Sequence, residues 1–166
     1  MAVGSGSARG SLPYLWLSAA IVVLDQITKG WVVRKLAMYQ AVTVLPVLQI
    51  THVYNRGAAF SFLDHSSGWQ RWVFAALALI VSVLIVAWLR RINRHEVALA
   101  SGAALVLGGA LGNLIDRLRL GQVVDFVAAH WGPHYFPIFN LADSAITVGV
   151  ILWLLDGLLE ERHKAR

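Results

Sequence analysis

Residues 69–89 read WQRWVFAALALIVSVLIVAWL. After Arg71 the only polar side chain in this run is Ser82. Crossing about 30 Å of hydrocarbon takes about 20 apolar residues in a helix, and this stretch supplies them. Three more runs of similar length lie around it. Leu12 to Val33 carries Asp25 and Lys29, Val97 to Ile115 carries Ser101 and Asn113, and Phe136 to Leu155 carries Asn140, Asp143, Ser144 and Thr147. The pattern predicts an all-α membrane protein with four transmembrane helices over 12–33, 69–89, 97–115 and 136–155, the whole chain forming one integral membrane domain. Only the second span reads as a plain lipid-facing anchor. The other three carry polar groups that hydrocarbon penalises, so those groups should face inward.

Composition agrees. The chain has 166 residues, 58% apolar and 14% charged, and a mean hydropathy of +0.64. Soluble domains have about a quarter of their residues charged, and a small one needs the most polar surface. An ordinary soluble globule and a disordered chain are both excluded. There is no cysteine, which excludes a disulfide frame, a thiol nucleophile and a Cys-ligated zinc. The net charge is +5. The basic residues sit between apolar runs, where they meet anionic lipid headgroups rather than nucleic acid.

The first eleven residues are rich in Gly and Ser and read as a loose tail. The first span has a long apolar core and no small-x-small cleavage site after it, so it reads as an uncleaved signal anchor. No internal repeat is detectable. An even number of spans puts both termini on one side. With both inside, seven Lys and Arg residues are cytoplasmic and seven lie at or near the other face. The tie breaks on the Arg90–Arg94 cluster, which sits in the shortest loop, where positive charge directs topology best. Both termini are expected in the cytoplasm.

The first outer segment, residues 34–68, is β-rich. Ala41 to Leu45 is β-branched, Leu48 to Tyr54 continues the strand character, Asn55-Arg-Gly57 signals a turn, and Ala58 to Phe62 can return as a strand. A small extracytoplasmic β-sheet is expected on the outer membrane surface. The second outer segment, Arg117 to Tyr135, holds Val123-Val-Asp-Phe-Val127 and then His130, Trp131 and Pro133.

On the fourth span the polar residues 140, 143, 144 and 147 fall on one helix face. Asp25, Thr28 and Lys29 repeat the spacing on the first span, and Gly109, Gly112, Asn113 and Asp116 on the third. A shared polar pocket at the outer ends of three helices follows. Gly108 and Gly112 form a small-xxx-small pair that lets another helix approach. Plainer readings stand beside each feature. Asn140 with Asp143 could be a capping box. Asp116 with Arg117 could be an interfacial ion pair. Lys29 could snorkel to the headgroups, with Asp25 as its i,i+4 partner. The six histidines are scattered, and no metal or cofactor site is expected. Asp125 resists a plain reading, because a solvated loop carboxylate needs no apolar neighbours. With Asp143 it makes a pair that would share a proton, one acid activating water and the other donating to a carbonyl.

Five blocks in order resemble the bacterial lipoprotein signal peptidases, also called signal peptidase II. They are Asp25-Gln-Ile-Thr-Lys29, Tyr54-Asn-Arg-Gly-Ala-Ala-Phe60, Gly108-Gly-Ala-Leu-Gly-Asn-Leu-Ile-Asp-Arg117, Val124-Asp-Phe126 and Phe139-Asn-Leu-Ala-Asp-Ser144. The resemblance spans nearly the whole chain. It implies an intramembrane aspartic endopeptidase of the bacterial inner membrane. Such an enzyme removes the signal peptide from diacylglyceryl-modified prolipoproteins, cutting before the lipidated Cys. It implies Asp125 and Asp143 as the catalytic dyad. Asn55, Asn113, Asp116, Arg117, Asn140 and Ala142 would line or brace the site, and Asp25 and Lys29 would belong to a structural block. It further implies a cradle-like outer sheet over a site near the outer face and sensitivity to the cyclic peptide globomycin; a monomer among membrane lipids is expected. Three other readings are weighed against it. A proton- or ion-coupled transporter needs polar groups across the bilayer, and here they cluster at one end. A Ser/Lys leader peptidase would need Lys29 to meet Ser61 or Ser144. A non-catalytic scaffold would use its polar stripes only to hold helices together.

Overall fold

The computed structural model describes residues 10–57, 68–93 and 95–164, with side chains described as far as 159. Among the described residues, four helices are long and apolar enough to cross a membrane. They are α1 (Leu15–Lys35), α2 (Trp69–Leu89), α3 (Val97–Leu120) and α4 (Leu141–Lys164). An antiparallel sheet, ordered β1-β2-β3-β4, is built from β1 (Ala41–Leu45), β2 (Leu48–Asn55), β3 (Val123–Trp131) and β4 (His134–Tyr135).

α3 is the central post, packed against α1, α2 and α4. Its sequence explains why. Lipid supplies no hydrophobic drive between helices, so close backbone approach has to hold them. A Cβ at Gly108 would lie 2.8 Å from Ile21 Cβ of α1, and one at Gly109 would collide with the Ala142 carbonyl of α4. Small residues thus admit a neighbour on each side. α2 turns Leu77, Leu79, Ile80, Val83 and Leu84 outward, and its one polar side chain after Arg71, Ser82, donates back to Ala78 O at 2.7 Å. The plain-anchor reading fits it.

Several boundaries differ from the sequence expectation, α4 also running on past Leu155 to Lys164. α3 continues five residues past Ile115 and ends at Gly121, whose φ of 77° suits a left-handed cap and whose N–H reaches Arg117 O. Asp116 and Arg117 are therefore helical. α4 begins at Leu141 rather than Phe136. Pro137 biases Phe136 toward extended backbone, and residues 136–140 run beside β3 instead. Phe126 and Val127 N–H both donate to Phe139 O, and Phe139 N–H donates back to Val127 O. The tail is firmer at its end than expected. Ser11 is fully buried, its N–H donating to Leu89 O and its hydroxyl lying 3.2 and 3.1 Å from Ile92 O and Asn93 O. The proposed return strand 58–62 lies outside the described residues. On its far side β2 pairs instead with β3, from the second outer segment, placing Val53 opposite Asp125.

Candidate active site

β3 and the N-terminus of α4 each bring one carboxylate to a single pocket. The pocket has a volume of about 720 Å³, and its lining includes Asn55, Arg56, Asn113, Arg117, Asp125, Phe139, Asp143 and Thr147. Asp125 is 3% exposed in the middle of the apolar pentapeptide. Asn55, at the end of β2, donates Nδ2 to Asp125 Oδ2 at 2.9 Å, and Asn140 donates Nδ2 to Asp125 Oδ1 at 2.7 Å. Burial pushes the Asp125 carboxyl up to about 6. The charge of Asp143 adds to the rise, while the two Asn donors and the more distant Lys29 oppose it.

Asn140 and Asp143 do form a capping box. Asp143 N–H donates to Asn140 Oδ1 at 3.0 Å, and Asn140 N–H returns to Asp143 Oδ2 at 3.1 Å. The cap and the site share one side chain, because the Asn140 amide oxygen caps α4 while its amide nitrogen holds Asp125. Asp143 Oδ1 accepts Asn113 Nδ2 at 2.8 Å. Asn113 Oδ1 accepts both Lys29 Nζ at 2.9 Å and Asn140 Nδ2 at 3.1 Å. An ammonium group only donates, so Lys29 fixes which way the Asn113 amide faces and turns its NH₂ toward Asp143. The chain of contacts Asp125–Asn140–Asn113–Asp143 ties the two acids together.

Behind the pocket lies a buried charge cluster. Lys29 Nζ sits 2.8 Å from Asp25 Oδ2 and 2.9 Å from Asp116 Oδ2, with all three side chains almost wholly shielded. Snorkelling is thus excluded for Lys29, and the partner of Asp116 is Lys29, not Arg117. Each acid of this cluster also grips backbone. Asp25 Oδ1 accepts Ala142 N–H at 3.1 Å, and Asp116 Oδ2 accepts Val124 N–H at 3.1 Å. Ala142 directly precedes Asp143, and Val124 directly precedes Asp125. Isolated buried charges are costly, and here one cation serves two anions whose remaining lone pairs find N–H donors. Arg117 donates Nη1 to Asn113 O at 3.3 Å, and its guanidinium lies 5.2 Å from the Phe74 ring centroid.

All ten residues singled out from the sequence therefore fall in one connected assembly. The sequence reading missed others. Phe139 and Ile138 line the pocket because the segment before α4 is extended, and Pro137 was the available signal. Arg56 lines its rim and donates Nε to Gln122 Oε1. Gln26 joins the buried cluster, and its only signal was its place inside the Asp25–Lys29 block.

Four membrane-spanning helices among the described residues, with the carboxylates of Asp125 and Asp143 joined through two asparagines beside a four-stranded sheet, define a polytopic membrane protein with a paired-carboxylate site. The chain belongs to the signal peptidase II family: the family model described as Signal peptidase (SPase) II matches residues 17–159. A lipoprotein signal peptidase of Pseudomonas aeruginosa is 56% identical over 149 residues, covering 89% of this chain and 88% of the relative. One of Pseudomonas putida is 54% identical over 149 residues, covering 89% and 87%. A solved structure described as a bacterial membrane enzyme at 2.3 Å resolution is 32% identical, with a TM-score of 0.81 over 93% of this chain and 92% of that one. A second, at 1.9 Å, is 30% identical with a TM-score of 0.78 over 89% and 95%. None of these relatives is a carrier.

Proposed function

We propose that this protein removes the signal peptide from diacylglyceryl-modified prolipoproteins by an aspartic mechanism, cutting before the lipidated Cys. The observation that carries the reading is the joining of Asp125 and Asp143 through Asn140 and Asn113 at one pocket. The roles divide by environment. Asp143 sits in the first turn of α4, at the positive end of the helix dipole, and serves as the carboxylate that activates water. Asp125, with its carboxyl pushed up to about 6 by burial, carries the proton.

Water attacks the carbonyl carbon before the Cys and gives its proton to Asp143, while Asp125 donates its proton to the carbonyl oxygen. The tetrahedral diol then collapses. Asp143 returns its proton to the Cys nitrogen, Asp125 recovers one from a diol hydroxyl, and the C–N bond breaks. The products are a signal peptide with a free carboxyl group and a lipoprotein with a free Cys amine. Asn55, Arg117 and Asn140 orient these groups and contact substrate. Membrane lipids surround the spans, a globomycin-type cyclic peptide would compete for the same pocket, and the chain works as a monomer. Both termini are cytoplasmic, and the site lies near the outer face of the inner membrane.

The test is cleavage of a lipidated precursor by purified protein, beside Asp125→Asn and Asp143→Asn. Acid–base groups contribute about 10²–10⁴-fold, so each variant should lose at least that while staying folded. A folded variant that keeps more than about a tenth of turnover would overturn the dyad.

A further inference from the structure

Gln26 takes no part in the mechanism above, and it does not line the pocket. It is half-buried between α1 and α3. Its Nε2 donates to Asp116 Oδ1 at 2.9 Å, with Gly112 O and Asp25 Oδ2 each at 3.3 Å. The other oxygen of Asp116 holds Lys29 Nζ at 2.9 Å and the Val124 N–H at 3.1 Å. A carboxylate is planar and turns about one bond, so fixing Oδ1 decides where Oδ2 points. Lys29 cannot set that plane alone, because an ammonium is a point charge with rotatable donors. Gln26 supplies the second, directional contact.

Val124 starts the part of β3 that carries Asp125. Its N–H goes to a side chain eight residues back along the chain, in the last turns of α3. If the Asp116 carboxylate turns, that N–H loses its acceptor in a place 1% exposed, where water does not replace it. The strand start then shifts, and Asp125 shifts with it. A misplacement of about 1 Å can cost about 10²-fold in rate.

We propose that Gln26 is a positioning residue for Asp125, acting through the Asp116 carboxylate and the Val124 N–H. The inference rests on Asp125 being a catalytic residue. Among the described residues, the charged groups around Gln26 are Asp25 and Lys29 on its own helix and Asp116 on α3. β3 and α4 present to these acids the backbone N–H groups of Val124 and Ala142.

Two variants of the full-length protein separate positioning from packing. Gln26→Leu keeps much of the shape and removes the donor. Its kcat should fall about 10–100-fold, the range for groups that orient reacting residues, with KM and thermal midpoint little changed. Gln26→Glu keeps the shape but donates only while it holds a proton. Its kcat relative to wild type, measured from pH 5 to pH 8 on a lipidated precursor, should approach wild type at the acid end and fall as the pH rises. Packing alone would give no such trend. A Leu variant with more than half of wild-type kcat overturns the proposal, as does a Glu variant whose ratio to wild type is flat with pH. Should the Leu variant fail to fold, the Glu profile decides by itself. Asp125→Asn runs beside them: turnover in that variant would remove the catalytic reading beneath the proposal, whereas a dead Asp125→Asn with indifferent Gln26 variants would sink the positioning role alone.

Discussion

A carboxyl proposed to carry a proton through the reaction has to be kept from water, and burial keeps Asp125 from it at a cost in stability that can be measured. Its folded value near 6 lies above the unfolded value of about 3.9. Between the two, the native state binds a proton that the unfolded state does not. Stability therefore falls as pH rises through 6, and the loss is fully relieved below about 4. The difference corresponds to at most about 3 kcal/mol. The thermal midpoint of the wild-type protein should rise on going from pH 7 to pH 5, and the rise should be smaller in Asp125→Asn. Equal pH dependence in both would mean that burial does not hold this carboxyl up. Asp125 was legible in the sequence because an acid flanked by valines and phenylalanine contradicts its surroundings. The capping role of Asn140 and Asp143 was legible from an i,i+3 spacing. The second anion of Lys29 was not, since Asp116 lies 87 residues away and no local pattern reports it. Gln26 was quieter still, because a neutral amide beside an acid reads as a spacer.

The elements follow a similar rule: hydropathy finds them, and local stereochemistry ends them. α1 and α2 end within two residues of their apolar runs. α3 and α4 do not, because Arg117 and Arg119 are polar yet good helix formers at a C-terminus, and Phe136-Pro-Ile-Phe is apolar yet starts with a residue that Pro137 disfavours in a helix. That second miss matters most. The extended stretch before α4 is what lays Asn140 against β3 and brings Asp143 near Asp125. Small residues on α3 then set how closely α4 approaches. Gly109→Val should lower both thermal midpoint and turnover, since even a Cβ there collides with the Ala142 backbone one residue from Asp143. Gly157 lies on an open face of the same α4, where an added Cβ would meet nothing within 4 Å. Gly157→Ala should leave turnover unchanged and raise stability by about 0.5–1 kcal/mol. If both substitutions were silent, close packing of α3 on α4 would not be what holds the acids together.

For the whole molecule, charge counting alone leaves orientation tied, and the asymmetry of the fold supplies what the count lacks. The sheet, the pocket and the C-terminal end of α3 lie together, while the α2–α3 turn with Arg90 and Arg91 lies at the other end. A protease for exported proteins needs its acids on the side where the mature part emerges. The proposed orientation therefore puts the β3–β4 hairpin outside and Arg91 inside. The chain has no cysteine of its own, so single cysteines report without background. His134 in β4 and Arg91 in the α2–α3 turn are both exposed. In spheroplasts, a membrane-impermeant maleimide should label His134→Cys at once, and should label Arg91→Cys only after lysis. The reverse pattern would place Asp125 and Asp143 at the cytoplasmic face. No exported precursor could then present its cleavage site to them after crossing, and the assignment of substrate would fall with the topology.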